Sequence, residues 1–263
     1  MKQASVYLKV IFFYLLSLIV FATAAGITKK TAYPDLFSIT SAALLTFTIA
    51  FLFTRWDKNT LSGIGIRWDK KSILQFLTGC CVGTILVVIM TLIITRFSPI
   101  NFQRSPSFDP KVFAITLPLY FFVAWREELT FRTYMLWRLK DNLGPVWSLL
   151  IVTIIFILEH LFTGFTLKWA IIGSGLGGIL FGWAALKTRN IALSIGLHFA
   201  WNFTHWILGY KDNTGLFHEV LSKGGESQGE SVALIAYISV MLLGMVFVTV
   251  LSQSLNLPPK QTS

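Results

Sequence analysis

Charge is scarce in this sequence: 13% of its 263 residues are Asp, Glu, Lys or Arg, where a soluble domain carries about 25%. With 54% hydrophobic and 15% aromatic residues and a mean hydropathy of +0.68, too little polar surface remains to dissolve a globule. The same composition excludes intrinsic disorder. Cysteine is scarce too. The two present, Cys80 and Cys81, are adjacent inside an apolar run. Neighbours on one helix do not readily form a bridge of normal geometry. A disulfide scaffold is therefore excluded, and both read as small membrane-helix residues.

What the sequence does have is apolar runs of about 20 residues, the length that spans a bilayer, separated by short charged clusters. This pattern predicts an all-α, polytopic transmembrane helix bundle. Eight spans are expected, near 6–27, 36–54, 73–95, 112–139, 145–165, 168–186, 191–209 and 231–252. Lys2 and Lys9 precede the first run as in a signal peptide, but the run is long for one and further spans follow. It is read as the first span. The only extended hydrophilic segment is 211–230, rich in Gly, Ser and Glu. No repeat or second domain is apparent, so residues 1–263 read as a single integral membrane domain.

The net charge of +10 speaks of the lipid bilayer and its cytoplasmic leaflet before it speaks of nucleic acid, and no nucleic-acid partner is expected. With the N-terminus inside, the cytoplasmic linkers hold 12 Lys and Arg: Lys2, Lys9, five in 55–71, Arg138, Lys140, Lys187, Arg189 and Lys260. The opposite side holds 8, among them Lys29, Lys30, Arg96, Arg104 and Lys211. The bias predicts a multi-pass protein of the cell (plasma) membrane with both termini cytoplasmic. Trp56, Trp68, Trp147 and Trp169 flank spans, where an aromatic belt is expected.

The informative residues are polar ones at membrane depth, where a charge costs about 2.5–3.5 kcal/mol even on lenient scales. The fourth span contains Trp125-Arg126-Glu127-Glu128-Leu129-Thr130-Phe131-Arg132, and apolar character resumes beyond it. No Gly or Pro intervenes before Gly144, so one continuous helix is expected over 112–139. In it Glu128 and Arg132 stand at i and i+4, in the favourable order for an ion pair. Glu127 is left on another face as the less-paired carboxylate.

The fifth span ends Phe156-Ile157-Leu158-Glu159-His160, and the seventh contains His198-Phe199-Ala200-Trp201-Asn202. Lys140 back to Glu127 is about 20 Å of helix, and Pro145 forward to His160 about 22 Å. A tight turn at 141–145 therefore sets Glu127 and His160 at nearly one depth. His198 and Asn202 share a helix face, although His198 lies only about 12 Å from Asn190. Glu159 is an extra acid that either pairs with Arg126 or faces a water-filled cavity.

A carboxylate and an imidazole sharing a water can take its proton and generate hydroxide for attack on a carbonyl. A second His with an Asn can donate hydrogen bonds to the oxyanion. Glu127, His160 and His198 could instead hold Zn²⁺ with a position open for water. No H-E-x-x-H pair fixes two ligands on one helix, so a metal-free site is favoured and zinc remains the alternative. Neither option uses a Ser or Cys nucleophile.

These three motifs, in this order on successive membrane helices, resemble the CPBP family of intramembrane proteases, named for CAAX prenyl proteases and bacteriocin-processing enzymes and including the Ras-converting enzyme of eukaryotes. The resemblance covers roughly residues 110–205 and implies a protease core at about 110–209. It implies that Glu127 and His160 activate water and that His198 and Asn202 stabilise the oxyanion, with Glu128 and Arg132 in support. It also implies a membrane-associated peptide or protein substrate, such as a prenylated C-terminus, a leader peptide or a sorting tail. Two other readings stand beside this glutamic or metallo-endopeptidase: a proton-coupled membrane transporter, and an inactive immunity-type homologue of the protease.

Three further features read as structural. Gly173-Ser174-Gly175-Leu176-Gly177-Gly178 satisfies a nucleotide-binding pattern but follows no strand, and Gly173/Gly177 and Gly178/Gly182 read as helix packing. His205 either lines the same cavity or caps a packing face, the latter being expected. His218 is expected to be solvated in the polar loop.

Overall fold

Residues with helix-starting chemistry open the long apolar helices. Pro34 and Pro110 sit in the first turns of α2 (Pro34–Trp56) and α4 (Pro110–Arg132), and Asp69 accepts from the Ser72 amide at 2.7 Å to cap α3 (Lys70–Phe97). Proline's fixed φ and missing N–H suit a first turn, and a carboxylate satisfies an otherwise orphaned amide. The computed structural model describes residues 2–106, 108–211 and 214–255. Lys260 of the charge tally lies outside the described residues. The remaining elements are α1 (Lys2–Thr28), β1 (Ile100–Arg104), α5 (Tyr134–Phe162), α6 (Leu167–Trp169), α7 (Gly175–Thr188), α8 (Ala192–Ile207), β2 (Phe217–Leu221) and α9 (Glu226–Leu255). A π-helical turn, Ala170–Ser174, joins α6 to α7.

The protein is an all-α, integral multi-pass membrane bundle. Among the described residues, 6 helical stretches are long and apolar enough to cross a bilayer; one, Pro110–Phe162, is 53 residues long and includes both α4 and α5. The expected continuous helix over 112–139 is corrected. The chain breaks at Thr133 (φ −105°, ψ −115°), whose hydroxyl bonds back to the Leu129 carbonyl, and breaks again at Gly144 (φ 79°). Serine and threonine that bond to the i−4 carbonyl bend helices. The break lets 134–143 fold across one end of the bundle, where Tyr134 donates to Asp57 at 2.7 Å and Arg138 pairs with the same carboxylate at 2.9 Å. The seventh span is also shorter than expected. Helix α8 has 16 residues, about 24 Å, short of a hydrocarbon core of about 30 Å.

Loops gather at two ends. At the first, which we call the Asp57 end, Lys9 reaches Asp57 at 2.6 Å, Ile191 N–H donates to Gly65 O, and Asn190 donates to Ser72 and Gln75. At the other, β1 and β2 pair antiparallel, Phe102 opposite Glu219, and Lys168 pairs with Glu230. The sequence predicts a loop over 211–230; the structure instead pairs part of it as this ribbon. His218 consequently lies on a strand opposite Gln103, half-buried rather than solvated.

Helices α3 and α8 approach closely because glycine lines their contact. A Cβ on Gly79 would strike Leu193 O and the Leu197 amide, and one on Gly196 would strike Phe76 O. The Gly178/Gly182 pair packs on α5, against Phe156, Thr153 and Leu149, whereas Gly173 meets only its own Trp169. Trp56, Trp68 and Trp147 are exposed on the bundle surface.

Candidate active site

The site is assembled from the end of α4, the end of α5 and the middle of α8. Glu128 is fully buried, and three groups from two helices satisfy it. Arg132 Nη1 lies 3.6 Å from Oε1, one turn along α4. His198 Nδ1 lies 2.9 Å from the same oxygen, and the Ser194 hydroxyl donates to Oε2. A carboxylate only accepts, so Nδ1 carries the proton. Arg132 is itself fully buried, donates to Gly178 O at 3.3 Å and lies 4.6 Å from the centre of the Phe156 ring. A buried charge of this kind is tolerable only when paired and bonded.

His198 thereby presents Nε2 to the cavity, 3.6 Å from Glu127 Oε2, with Phe181 stacked on its ring at 4.5 Å. Its depth follows from where α8 begins. Asn190 and Ile191, 3% exposed, are held at the Asp57 end, and His198 lies eight residues along the chain from Asn190, nearer that end of the bundle. Glu127 Oε2 is buried without a hydrogen-bond partner among the described residues.

His160 enters from α5. Its Nδ1 lies 2.9 Å from Phe156 O, a carbonyl that can only accept, which leaves Nε2 as the unprotonated nitrogen of the neutral ring. Phe156 and Phe165 pack against the ring at 4.3 and 5.0 Å. Glu159, the unassigned acid, pairs with Arg126 Nη1 at 2.7 Å and accepts from the Tyr14 hydroxyl at 3.2 Å. The two pairing residues each precede a candidate catalytic residue, so Glu127 and His160 stand level.

Glu127, His160, His198 and Asn202 all line one cavity of about 960 Å³, walled deep inside by Val123, Phe156, Phe181, Trp201 and Met241. His205 lines it too, while its ring packs between Trp201 and Tyr210. The π-helical turn contributes Gly173 and Ser174 to the wall, with Gly173 O accepting from Tyr237.

The match that bears on this geometry lies within the same helices. Residues 109–204 match the family model of Rce1-like type II CAAX prenyl endopeptidases. This region is Rce1-like. It contains all six candidate site residues, Glu127, Glu128, Arg132, His160, His198 and Asn202, and is similar to that family over this segment. A comparison with curated proteins gives no match.

The Rce1-like region offers a poor fit to a metal. Among the described residues no three His, Cys, Asp or Glu side chains are grouped closely enough to hold an ion. Glu127, His160 and His198 share the cavity without converging as a ligand set, and His198 Nδ1 is already engaged by Glu128. Sequence reasoning missed Ser194, which stands one turn before His198 on the same face; that spacing was the available signal. It also missed Phe181 and Tyr14, which only the folded chain brings to the site.

Proposed function

We propose that the protein is an intramembrane endopeptidase that hydrolyses a peptide bond with a water activated by Glu127 and His160. The observation that carries this reading is the meeting of Glu127, His160, His198 and Asn202 in one largely apolar cavity, within the Rce1-like segment. In this mechanism a water hydrogen-bonds to Nε2 of His160 and gives a proton to Glu127. The hydroxide adds to the carbonyl carbon of the scissile bond. The oxyanion that forms accepts from the Asn202 amide and from His198, which in this mechanism carries a proton on both nitrogens, Nδ1–H donating to Glu128 and Nε2–H to the oxyanion. The proton held on Glu127 then passes to the amine nitrogen as the C–N bond breaks, so atoms and charge balance.

Glu128, Arg132 and Ser194 orient His198 and do not touch the substrate. No metal takes part in this scheme. The orientation we propose has both termini and the Asp57 end cytoplasmic, following the Lys and Arg bias. The test is a comparison of membrane proteomes from a deletion strain complemented with the wild-type chain or with Glu127→Gln. The Glu127→Gln strain should accumulate uncut precursors; identical proteomes, with both proteins equally abundant, would overturn the proposal.

A further inference from the structure

The cavity is not symmetric between the two ends of the bundle. Its lining continues from Glu127 and His198 to Phe165, Thr166, Tyr210, Glu219 and Glu226, all at the ribbon end. Among the described residues, none from 55–71, 134–145 or 187–192 lines it. Along α4, Glu127 lies about 25 Å of helix from Pro110 and about 8 Å from Arg132. The site is thus nearer the Asp57 end but opens toward the other.

The reason is a plug. Leu129, Phe131, Met135 and Leu136 are 0% exposed and Tyr134 is 1% exposed, because the break at Thr133 folds 134–143 across that end. Asp57 holds this segment through Tyr134 and Arg138. Behind Glu127, the filled cluster of Glu128, Arg132 and Ser194 is equally without access, each residue being 0% exposed. A peptide on the Asp57 side would have to displace this packing.

We infer that the substrate reaches Glu127 from the ribbon end only. This rests on the protease reading and narrows its substrate class. The cut segment belongs to a membrane-anchored or membrane-crossing polypeptide and emerges on the side opposite the Asp57 end.

The route can be tested without turnover. In a Cys80→Ala/Cys81→Ala background of the full chain, Ser174→Cys and Ala233→Cys each place a thiol in the cavity wall, while Ser62→Cys and Ser227→Cys mark the two ends. A membrane-impermeant methanethiosulfonate reagent with a quaternary ammonium group is applied to intact cells and to inverted vesicles. Both wall cysteines should be modified from the side that modifies Ser227→Cys. Modification from the Ser62→Cys side, or none from either side, would overturn the inference. Repeating the labelling in Glu127→Gln separates the two proposals, since the route does not depend on catalysis. If precursors accumulate in the proteome comparison, their uncut segments should lie on the Ser227 side; segments on the Ser62 side would also overturn it.

Discussion

Arg126 Nη1 stands 2.7 Å from Glu159 Oε1, and each residue immediately precedes a candidate catalytic residue, Glu127 and His160. The pair clamps α4 to α5 at the level of the proposed chemistry, with Tyr14 of α1 donating to the second carboxylate oxygen and Phe21 beneath the guanidinium at 4.3 Å.

Removing one partner leaves the other charge buried and uncompensated, at a cost of about 3–5 kcal/mol. Glu159→Ala should therefore melt well below the wild type in detergent. The double variant Arg126→Leu/Glu159→Leu should recover most of that stability, because no charge is stranded. Its cleavage should stay below wild type, since Glu127 and His160 lose their clamp. Thermal melts and cleavage assays on the three proteins check this.

Catalysis should divide the cavity residues into two groups. Glu127→Gln and His160→Ala should abolish cleavage, while His198→Ala or Asn202→Ala should reduce it about 10²–10³-fold, the scale for one oxyanion donor. Rates measured on protein of equal abundance and equal melting temperature decide. A well-folded Glu127→Gln chain with near-normal activity would contradict the mechanism.

Chelation is a separate question. Purified enzyme treated with a strong chelator should retain its activity and contain substoichiometric metal. Activity lost with the metal and restored by Zn²⁺ would reassign Glu127 as a ligand or as the base beside a zinc-bound water.

The contact between α3 and α8 should be the least tolerant of added volume. Gly196→Val would drive a side chain into Phe76 O, and overpacking of this kind costs about 1–3 kcal/mol. It should also weaken activity by displacing His198. Gly26→Ala is the control: nothing lies within 4 Å of its new Cβ. Helix melting by circular dichroism separates the two.

Acid should act on Asp57. Burial alone would raise its pKa, but the Lys9 ammonium, the Tyr134 hydroxyl and the Arg138 guanidinium outweigh that and hold it below the usual carboxylate range. A lowered folded pKa gives stability that is complete above the unfolded value of about 3.9 and is lost as pH falls through the folded value. Asp57→Asn should therefore melt lower than wild type at neutral pH, and the gap should close only below about pH 4. An equal gap at every pH would exclude this linkage.

The sequence by itself determined the membrane and the helical class, and it singled out the candidate site residues. Apolar runs of bilayer length can only be helices or barrels in lipid, and acids at that depth declare themselves by their cost. The i, i+4 pairing of Glu128 with Arg132 was legible because one turn of helix fixes it, whereas the depth expected for Glu127 and His160 rested on a continuous helix that breaks at Thr133, and the Arg126–Glu159 pair is what holds the two helices level. Tertiary structure decided the rest. The bond from Thr133 to the i−4 carbonyl is no sufficient signal, since Thr54 and Thr130 make the same bond inside continuous helices; the chain turns at Thr133, where Asp57, far away in sequence, holds Tyr134 and Arg138. The β1–β2 ribbon joins segments that show no strand pattern individually. His198 meets both glutamates where Gly79 and Gly196 let α8 pack closely against α3. Such choices depend on side chains that meet only across helices, and local sequence does not encode them.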